Sequence, residues 1–348
     1  MRRFHFADAL LAWFDRAGRK HLPWQQQVTP YRVWVSEIML QQTQVTTVIP
    51  FFDRFIQAFP NITSLAHAPL DQVLAHWTGL GYYARARHLH KAAQHICLQY
   101  HGDMPCDLHA LMALPGIGRS TAGAILALGF GQHASILDGN VKRVLTRFHA
   151  VPGWPGNKAV AEQLWAYAEH HTPTQRTAEY TQAIMDLGAM VCTRSKPDCL
   201  ACPLRAACQA HQQGTPTAYP SKRPTKTLPS RATQLLLIRN RHGDVLLEQR
   251  PPTGLWGGLW CFPEAASEDD AAAACWQRCR GTVAEQAALP AWRHTFSHYH
   301  LDIRPVLLRV HGRLRTPANT QWIQPATALR TLGMATPTCR LLEQLTAC

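Results

Sequence analysis

The chain is 348 residues long, carries 35 Lys and Arg against 22 Asp and Glu for a net charge of +13, and is 46% hydrophobic. That length and apolar content suffice for two packed domains and exclude a disordered chain, while the charge points to a polyanionic partner, nucleic acid before anionic membrane. No apolar run approaches the roughly 20 residues a membrane span needs, and Met1–Asp8 lacks the apolar core of a secretory leader, so a cytoplasmic protein with no membrane partner is expected.

In chain order, apolar residues recur at helical spacing in Phe6–Phe14, Val33–Val48, Val73–Trp77, Ala84–Ile96, Ala122–Leu128, Val141–Phe148 and Ala178–Met190. Residues 1–213 are therefore expected to form a mainly α domain. Residues 214–230 hold four prolines and no apolar periodicity, which predicts an extended, basic linker. Beyond it, Gln234–Arg250 reads as two short strands joined by a turn over Asn240–Asp244, so residues 231–348 are expected to be α+β. No internal repeat of about 20–50 residues is visible, which argues against a solenoid.

Within the α half, Leu114-Pro-Gly-Ile-Gly-Arg-Ser-Thr-Ala-Gly-Ala-Ile-Leu-Ala-Leu128 is a tight glycine turn opening an apolar helix. It is similar to a helix-hairpin-helix. Gly116 and Gly118 permit close backbone approach, so the free N–H groups at the helix start can hold a DNA phosphate. No strand precedes the glycines, as a dinucleotide-binding turn requires, and no Gly-Lys-Ser/Thr follows, as a P-loop requires. Taken alone, the motif is equally compatible with an ordinary turn between helices.

Cys192, Cys199, Cys202 and Cys208 follow the pattern C-x6-C-x2-C-x5-C. Four thiolates can hold a tetrahedral zinc or an iron–sulfur cube. Zinc sites usually draw on two separated C-x2-C knuckles, whereas here one such pair is flanked by wider gaps, and the spacing favours iron–sulfur. The total of 11 cysteines is odd, as expected in a reducing compartment.

Hairpin, Asp138-Gly-Asn140 and cysteine cluster, in that order, resemble the helix-hairpin-helix DNA glycosylase superfamily in its iron–sulfur branch. Two members of the branch are separable. Endonuclease III-type enzymes, which excise oxidised pyrimidines and nick the strand, carry a Schiff-base lysine in the hairpin where this chain has Ser120, and a serine cannot do that chemistry. They also end soon after the cluster. Trp34–Gln44, Pro23-Trp24, Gly79–Arg87 and Leu137–Arg143 instead resemble the MutY-type adenine DNA glycosylases, closely from about Phe4 to Cys208 and more loosely from Arg231 onward.

That resemblance implies a monofunctional glycosylase that removes adenine mispaired with 8-oxoguanine or G from double-stranded DNA, leaves an abasic site, works as a monomer on the bacterial nucleoid and carries a [4Fe-4S] cluster on the four cysteines. The alternative is a pyrimidine-specific glycosylase and lyase. Breaking a purine N-glycosidic bond leaves positive charge on the sugar and negative charge on the base, so an acid and an anion are needed. Glu37 holds the family's acid position, in an apolar context (Val33, Trp34, Val35, Ile38) that should keep it protonated for adenine N7. Asp138 precedes a helix whose positive end should favour its ionised form, so the two pKa values are expected to be pushed apart. Asn140 is expected to orient Asp138 or water.

The same resemblance places Gln41 and Tyr82 as wedges that fill the gap left by the flipped adenine. It places Leu22, Gln25 and Gln182 in the adenine pocket. Gly116, Gly118 and Ser120 fall in the DNA-binding hairpin, and Lys142 near the sugar, as an occasional Schiff base or a phosphate contact. Downstream, Gly258–Glu264 matches the opening G-x5-E of a Nudix signature, but the R-E-x-x-E-E helix is replaced by Asp269–Trp276 with alanines. A MutT-like fold without hydrolysis is implied, reading 8-oxoguanine through Phe296, Ser297 and His298.

Overall fold

The computed structural model describes residues 4–224, 227–266 and 269–347; part of the predicted linker, residues 225 and 226, lies outside them. The chain forms two units. Residues up to 67 and 88–225 make the first, and residues 68–87 with those from 226 onward make the second. Among the described residues no helix is long and apolar enough to cross a membrane.

The first unit is helical, as expected. Its opening helices are α1 (Phe6–Ala17), α2 (Pro30–Leu40), α3 (Val45–Ala58) and α4 (Ile62–His67). Helix α2 begins at Pro30, whose missing N–H would have no helical partner, and Thr29 caps it by accepting from Arg32 N at 3.2 Å. The apolar run Val33–Val48, read as one helix, is two. The polar stretch Gln41-Gln-Thr-Gln44 has nothing to bury, and Gln42 turns the chain with φ 58. That break leaves Gln41, half-buried, at the C-terminal end of α2.

After α5 (Leu70–Trp77), which belongs to the second unit, come α6 (Ala84–Tyr100), α7 (Leu108–Met112), α8 (Arg119–Ala124), α9 (Gly139–Phe148), α10 (Lys158–His171), α11 (Thr177–Asp186) and α12 (Gln209–Gln212). Helices α8 and α11 each run on into a wide π turn, at Ile125–Gly129 and Leu187–Val191. Val141, Val144, Leu145 and Phe148 of α9 pack with Leu10, Phe14, Ala183 and Leu187 in one core. Helix α10 escaped sequence reading because only Leu164 and Ala168 of it are buried.

The second unit is α+β. Its strands are β1 (Ser230–Arg239), β2 (Val245–Gln249), β3 (Trp260–Cys261), β4 (Glu264–Ala265), β5 (Thr282–Ala288), β6 (Trp292–Thr295), β7 (His300–His311) and β8 (Thr320–Ile323). The sheet runs β3-β2-β1-β7-β5, with β1 and β7 parallel and the other pairs antiparallel. Six consecutive residues of β1, Thr233–Ile238, are buried, as a central strand covered on both faces requires. The expected β1–β2 turn is present, with Asn240 Oδ1 accepting from His242 N and Asp244 N at 2.8 and 3.0 Å. Helix α13 (Ala271–Cys279) covers one face through Ala271, Cys275 and Cys279, and α14 (Pro325–Thr331) and α15 (Thr336–Ala347) close the unit.

Candidate active site

A cleft of about 860 Å³ opens in the first unit, walled by Leu22, Glu37, Gln41, Ser120, Asp138, Asn140 and Gln182. These come from the chain before α2, from α2 itself, and from the starts or faces of α8, α9 and α11. Glu37 lies on α2 between the buried Trp34, Ile38 and Met39 and keeps part of its surface toward the cleft. Burial, reinforced by the nearby charge of Asp138, pushes its carboxyl up to about 8.

Asp138 caps α9, with Oδ1 accepting from Val141 N at 2.8 Å and Oδ2 from Asn140 Nδ2 at 3.1 Å. The expectation that the helix start would hold it well ionised is corrected here. Burial is the larger effect and raises its carboxyl, while Val141, Asn140 and the Arg143 charge pull it back. Both carboxyls are therefore raised. They still differ in kind, since both causes acting on Glu37 favour the proton whereas Asp138 has several partners that favour the anion.

Asn140 is held in turn. Arg143 Nη2 donates to Asn140 Oδ1 at 2.8 Å and to Gly188 O at 2.6 Å, and Arg143 Nε to Cys192 O at 2.7 Å. A Cβ on Gly188 would lie 2.6 Å from Asn140 Cβ, so only glycine lets the π turn after α11 approach α9 so closely. Ser120 Oγ accepts from Leu137 N at 3.0 Å and so braces the residue before Asp138.

Gln182 presents one end of its amide. Its Nε2 donates to Asp186 Oδ1 at 2.8 Å. Asp186 is fully buried and takes Arg19 through Nε at 2.9 Å, Nη2 at 2.6 Å and the backbone N at 2.8 Å. With the amino end engaged, Gln182 offers its carbonyl oxygen as an acceptor. Gln25 stands differently. Its amide joins Arg19 O at 2.9 Å to Leu22 N at 3.0 Å, and it lines an adjoining recess of about 290 Å³.

The remaining predicted residues lie outside the cleft wall. Gly116 has φ +80 against His88, and Gly118, in extended backbone, caps the start of α8; both are exposed. Lys142 is half-buried on α9. Tyr82, Phe296, Ser297 and His298 belong to the second unit. There the Phe296 ring lies 4.6 Å from that of His294, 4.8 Å from Tyr299 and 5.8 Å from Trp256, while Ser297 and His298 are exposed. Glu264, the glutamate of the Nudix-like opening, is paired with Arg250 at 2.5 Å.

Sequence reading missed Arg19, Asp186 and Arg143. Arg19 and Asp186 are 167 positions apart, and no local pattern announces such a pair.

The four cysteines surround one recess of about 20 Å³ beside Arg147 and Arg205. Among the described residues no three His, Cys, Asp or Glu groups are spaced to hold a single metal ion. Burial raises the thiols of Cys199, Cys202 and Cys208, that of Cys202 to about 12, and each is raised further by neighbouring cysteines. Such a set loses its protons only to a strongly positive centre, and four sulfur donors with no imidazole or carboxylate among them fit an iron–sulfur core. Arg147, 2% exposed, donates to Cys192 Sγ at 3.3 Å and to Thr193 O at 2.7 Å.

Comparison with known proteins agrees with this architecture. Residues 35–170 match the HhH-GPD superfamily of base excision DNA repair proteins, and residues 234–344 match the NUDIX domain. An adenine DNA glycosylase from Buchnera aphidicola subsp. Acyrthosiphon pisum is 40% identical, over 89% of this chain and 88% of its own. The Homo sapiens adenine DNA glycosylase is 33% identical, over 90% of this chain and 68% of its own. Among solved structures, a thermostable thymine-DNA glycosylase superposes with a TM-score of 0.55 at 25% identity, covering 60% of this chain and 95% of that one. A trapped endonuclease III–DNA covalent intermediate, with a TM-score of 0.51 at 22% identity, shares its fold over 60% of this chain and 94% of that one. With its cleft, hairpin and second domain all accounted for, the chain belongs to the adenine DNA glycosylase family of base-excision-repair enzymes.

Proposed function

We propose that the adenine this enzyme removes lies opposite 8-oxoguanine or G in double-stranded DNA, and that Glu37 and Asp138 carry the hydrolysis. The observation that supports this reading is the shared cleft, in which Glu37 has a carboxyl raised to about 8 beside a hydrogen-bonded Asp138. Protonated Glu37 donates to adenine N7 as the N-glycosidic bond breaks. Asp138 as the anion stabilises the developing positive sugar until water adds at C1′ and gives up its proton to a carboxylate of the pair, and Asn140, clamped by Arg143, holds the Asp138 carboxylate in place. Gln182 accepts from the adenine 6-amino group through its free oxygen, with Leu22 packing on the base and Gln25 bracing the Leu22 backbone.

Gly116, Gly118 and Ser120 form the hairpin that holds a backbone phosphate, and Lys142 contacts the sugar-phosphate nearby. Gln41 and Tyr82 fill the stack. Phe296 stacks on the 8-oxoguanine while Ser297 and His298 donate to its edge. In this division, residues 1–213 are the glycosylase domain, 214–230 the linker and 231–348 the reader, with one monomer acting on nucleoid DNA in the cytoplasm. Cys192, Cys199, Cys202 and Cys208 would hold a [4Fe-4S] cluster, which would supply rigidity to the loop bearing Arg194, Lys196 and Arg205, and with one cysteine for each iron no coordination position would be left for substrate.

The test is incubation with duplexes holding A opposite 8-oxoguanine, A opposite G, or an oxidised pyrimidine. Scission of the A strand only after alkali supports the reading. Scission without alkali, or at the pyrimidine, supports the lyase alternative instead.

A further inference from the structure

Residues 68–87 interrupt the catalytic unit in sequence but pack with the C-terminal one. Asp71 of α5 accepts from Gln249 Nε2 at 2.7 Å and from Trp260 Nε1 at 3.4 Å. Tyr83 OH donates to Met334 O at 2.6 Å, and Met334 N donates to Thr78 Oγ1 at 3.1 Å. Gly333 backs so closely on Leu74 that a Cβ there would lie 2.6 Å from it.

On this base stands the Tyr82 turn. Gly79, Gly81 and Tyr82 are all left-handed, with φ 99, 76 and 50, and the Tyr82 side chain is 51% exposed. Trp77 Nε1 and Arg85 Nη2 each donate to Gly81 O at 3.1 Å. A left-handed tyrosine is strained and persists only where its surroundings dictate it. On the first turn of α6, Arg87 Nη1 donates to Gly257 O at 2.8 Å. Gly257 follows Trp256, a second left-handed aromatic with φ 51, only 9% exposed, whose ring lies 5.8 Å from Phe296 and 6.1 Å from His294. Arg87 thus ties the helix that opens directly after the Tyr82 turn, through its backbone N to Tyr83 O at 3.2 Å, to the residue beside Trp256, through its guanidinium.

We propose that Arg87 is a positioning residue that couples the Tyr82 wedge to the Trp256–Phe296 cluster, so that seating an oxidised purine on Phe296 and inserting Tyr82 beside it occur as one event. The proposal rests on the assignment of Phe296–His298 as the reader. Its signature is non-additivity, because two groups acting through one joint are lost together.

The experiment uses full-length Arg87→Met, Tyr82→Ala, Phe296→Ala and the doubles with Arg87→Met. Affinity is measured for A·8-oxoguanine and A·G duplexes, and 2-aminopurine beside the 8-oxoguanine reports stacking by Tyr82. Arg87→Met should weaken A·8-oxoguanine binding about 10-fold and A·G binding no more than about 2-fold, and should add less than about 2-fold to Tyr82→Ala. It should also remove the wild-type fluorescence change, with Arg87→Lys restoring part of it. Losses that multiply in the doubles, equal losses on both duplexes, or unchanged fluorescence would overturn the proposal. If Phe296→Ala leaves the 8-oxoguanine preference intact, the reader assignment has failed, and the fluorescence then decides by itself whether Arg87 seats Tyr82. Thermal unfolding is followed for each variant, and should Arg87→Met not fold, Arg87→Lys carries the same comparisons.

Discussion

Arg143 donates to Asn140 Oδ1 at 2.8 Å and to the carbonyl of Cys192 at 2.7 Å, so one guanidinium joins the partner of Asp138 to the first residue of the cysteine cluster. Both anchors sit at an end of α9 or beside it, and the planar fork suits two oxygens in a way that an ammonium does not. Arg143→Ala should lower the single-turnover excision rate about 10-fold or more by freeing Asn140, with Arg143→Lys intermediate. Equal binding of an uncleavable duplex by wild type and variant checks that the loss lies in positioning.

The raised carboxyl of Glu37 predicts the pH profile. On the proposed mechanism excision needs the Glu37 proton and the Asp138 anion together, so the single-turnover rate should fall tenfold per unit above about pH 8 and fall again on the acid side as Asp138, itself raised by burial, takes up its proton. The sign for stability is the same. Between the usual carboxylate range and about 8 the folded state binds the extra proton, so Glu37 makes the fold progressively less stable as pH rises through that window. Glu37→Gln should cut excision by about 10²–10⁴-fold while sparing DNA binding, and should raise Tm at pH 8 relative to wild type. A variant that kept its turnover would move the acid elsewhere.

Asp186 is fully buried and bonded to Arg19 and Gln182 together. Asp186→Asn leaves Arg19 without its charge partner and lets the Gln182 amide turn over. Urea unfolding should show a loss of about 3 kcal/mol. Excision of adenine should fall more than that of 2-aminopurine, which lacks the 6-amino group that Gln182 accepts from.

Cys202 has the thiol raised to about 12 within the cysteine recess. Replacing it by alanine should lower iron and acid-labile sulfide content and drop Tm by about 5 °C or more, because cluster binding and loop folding are linked. Unchanged iron content would assign the cluster to other ligands.

Much of this was legible in the residues. The helical spacing of the first half, the two strands around Asn240–Asp244 and the gathering of Cys192, Cys199, Cys202 and Cys208 follow from local pattern, because periodicity and ligand spacing are properties of neighbouring residues. Glu37 and Asp138 were singled out by the family resemblance, since a helical glutamate and a helix-capping aspartate are each ordinary by themselves, and the structure places both on the wall of one cleft. What only the tertiary structure decided is the balance of forces on each. Burial of Asp138 by elements distant in sequence outweighs the local helix end, and so reverses the direction expected from its neighbours. The Arg19–Asp186 pair that sets Gln182, the Arg143 bridge and the return of residues 68–87 to the C-terminal sheet are likewise contacts across long sequence separations. Pattern within one segment carries no information about which distant group will lie within hydrogen-bond reach, and that is where the chemistry of this cleft is tuned.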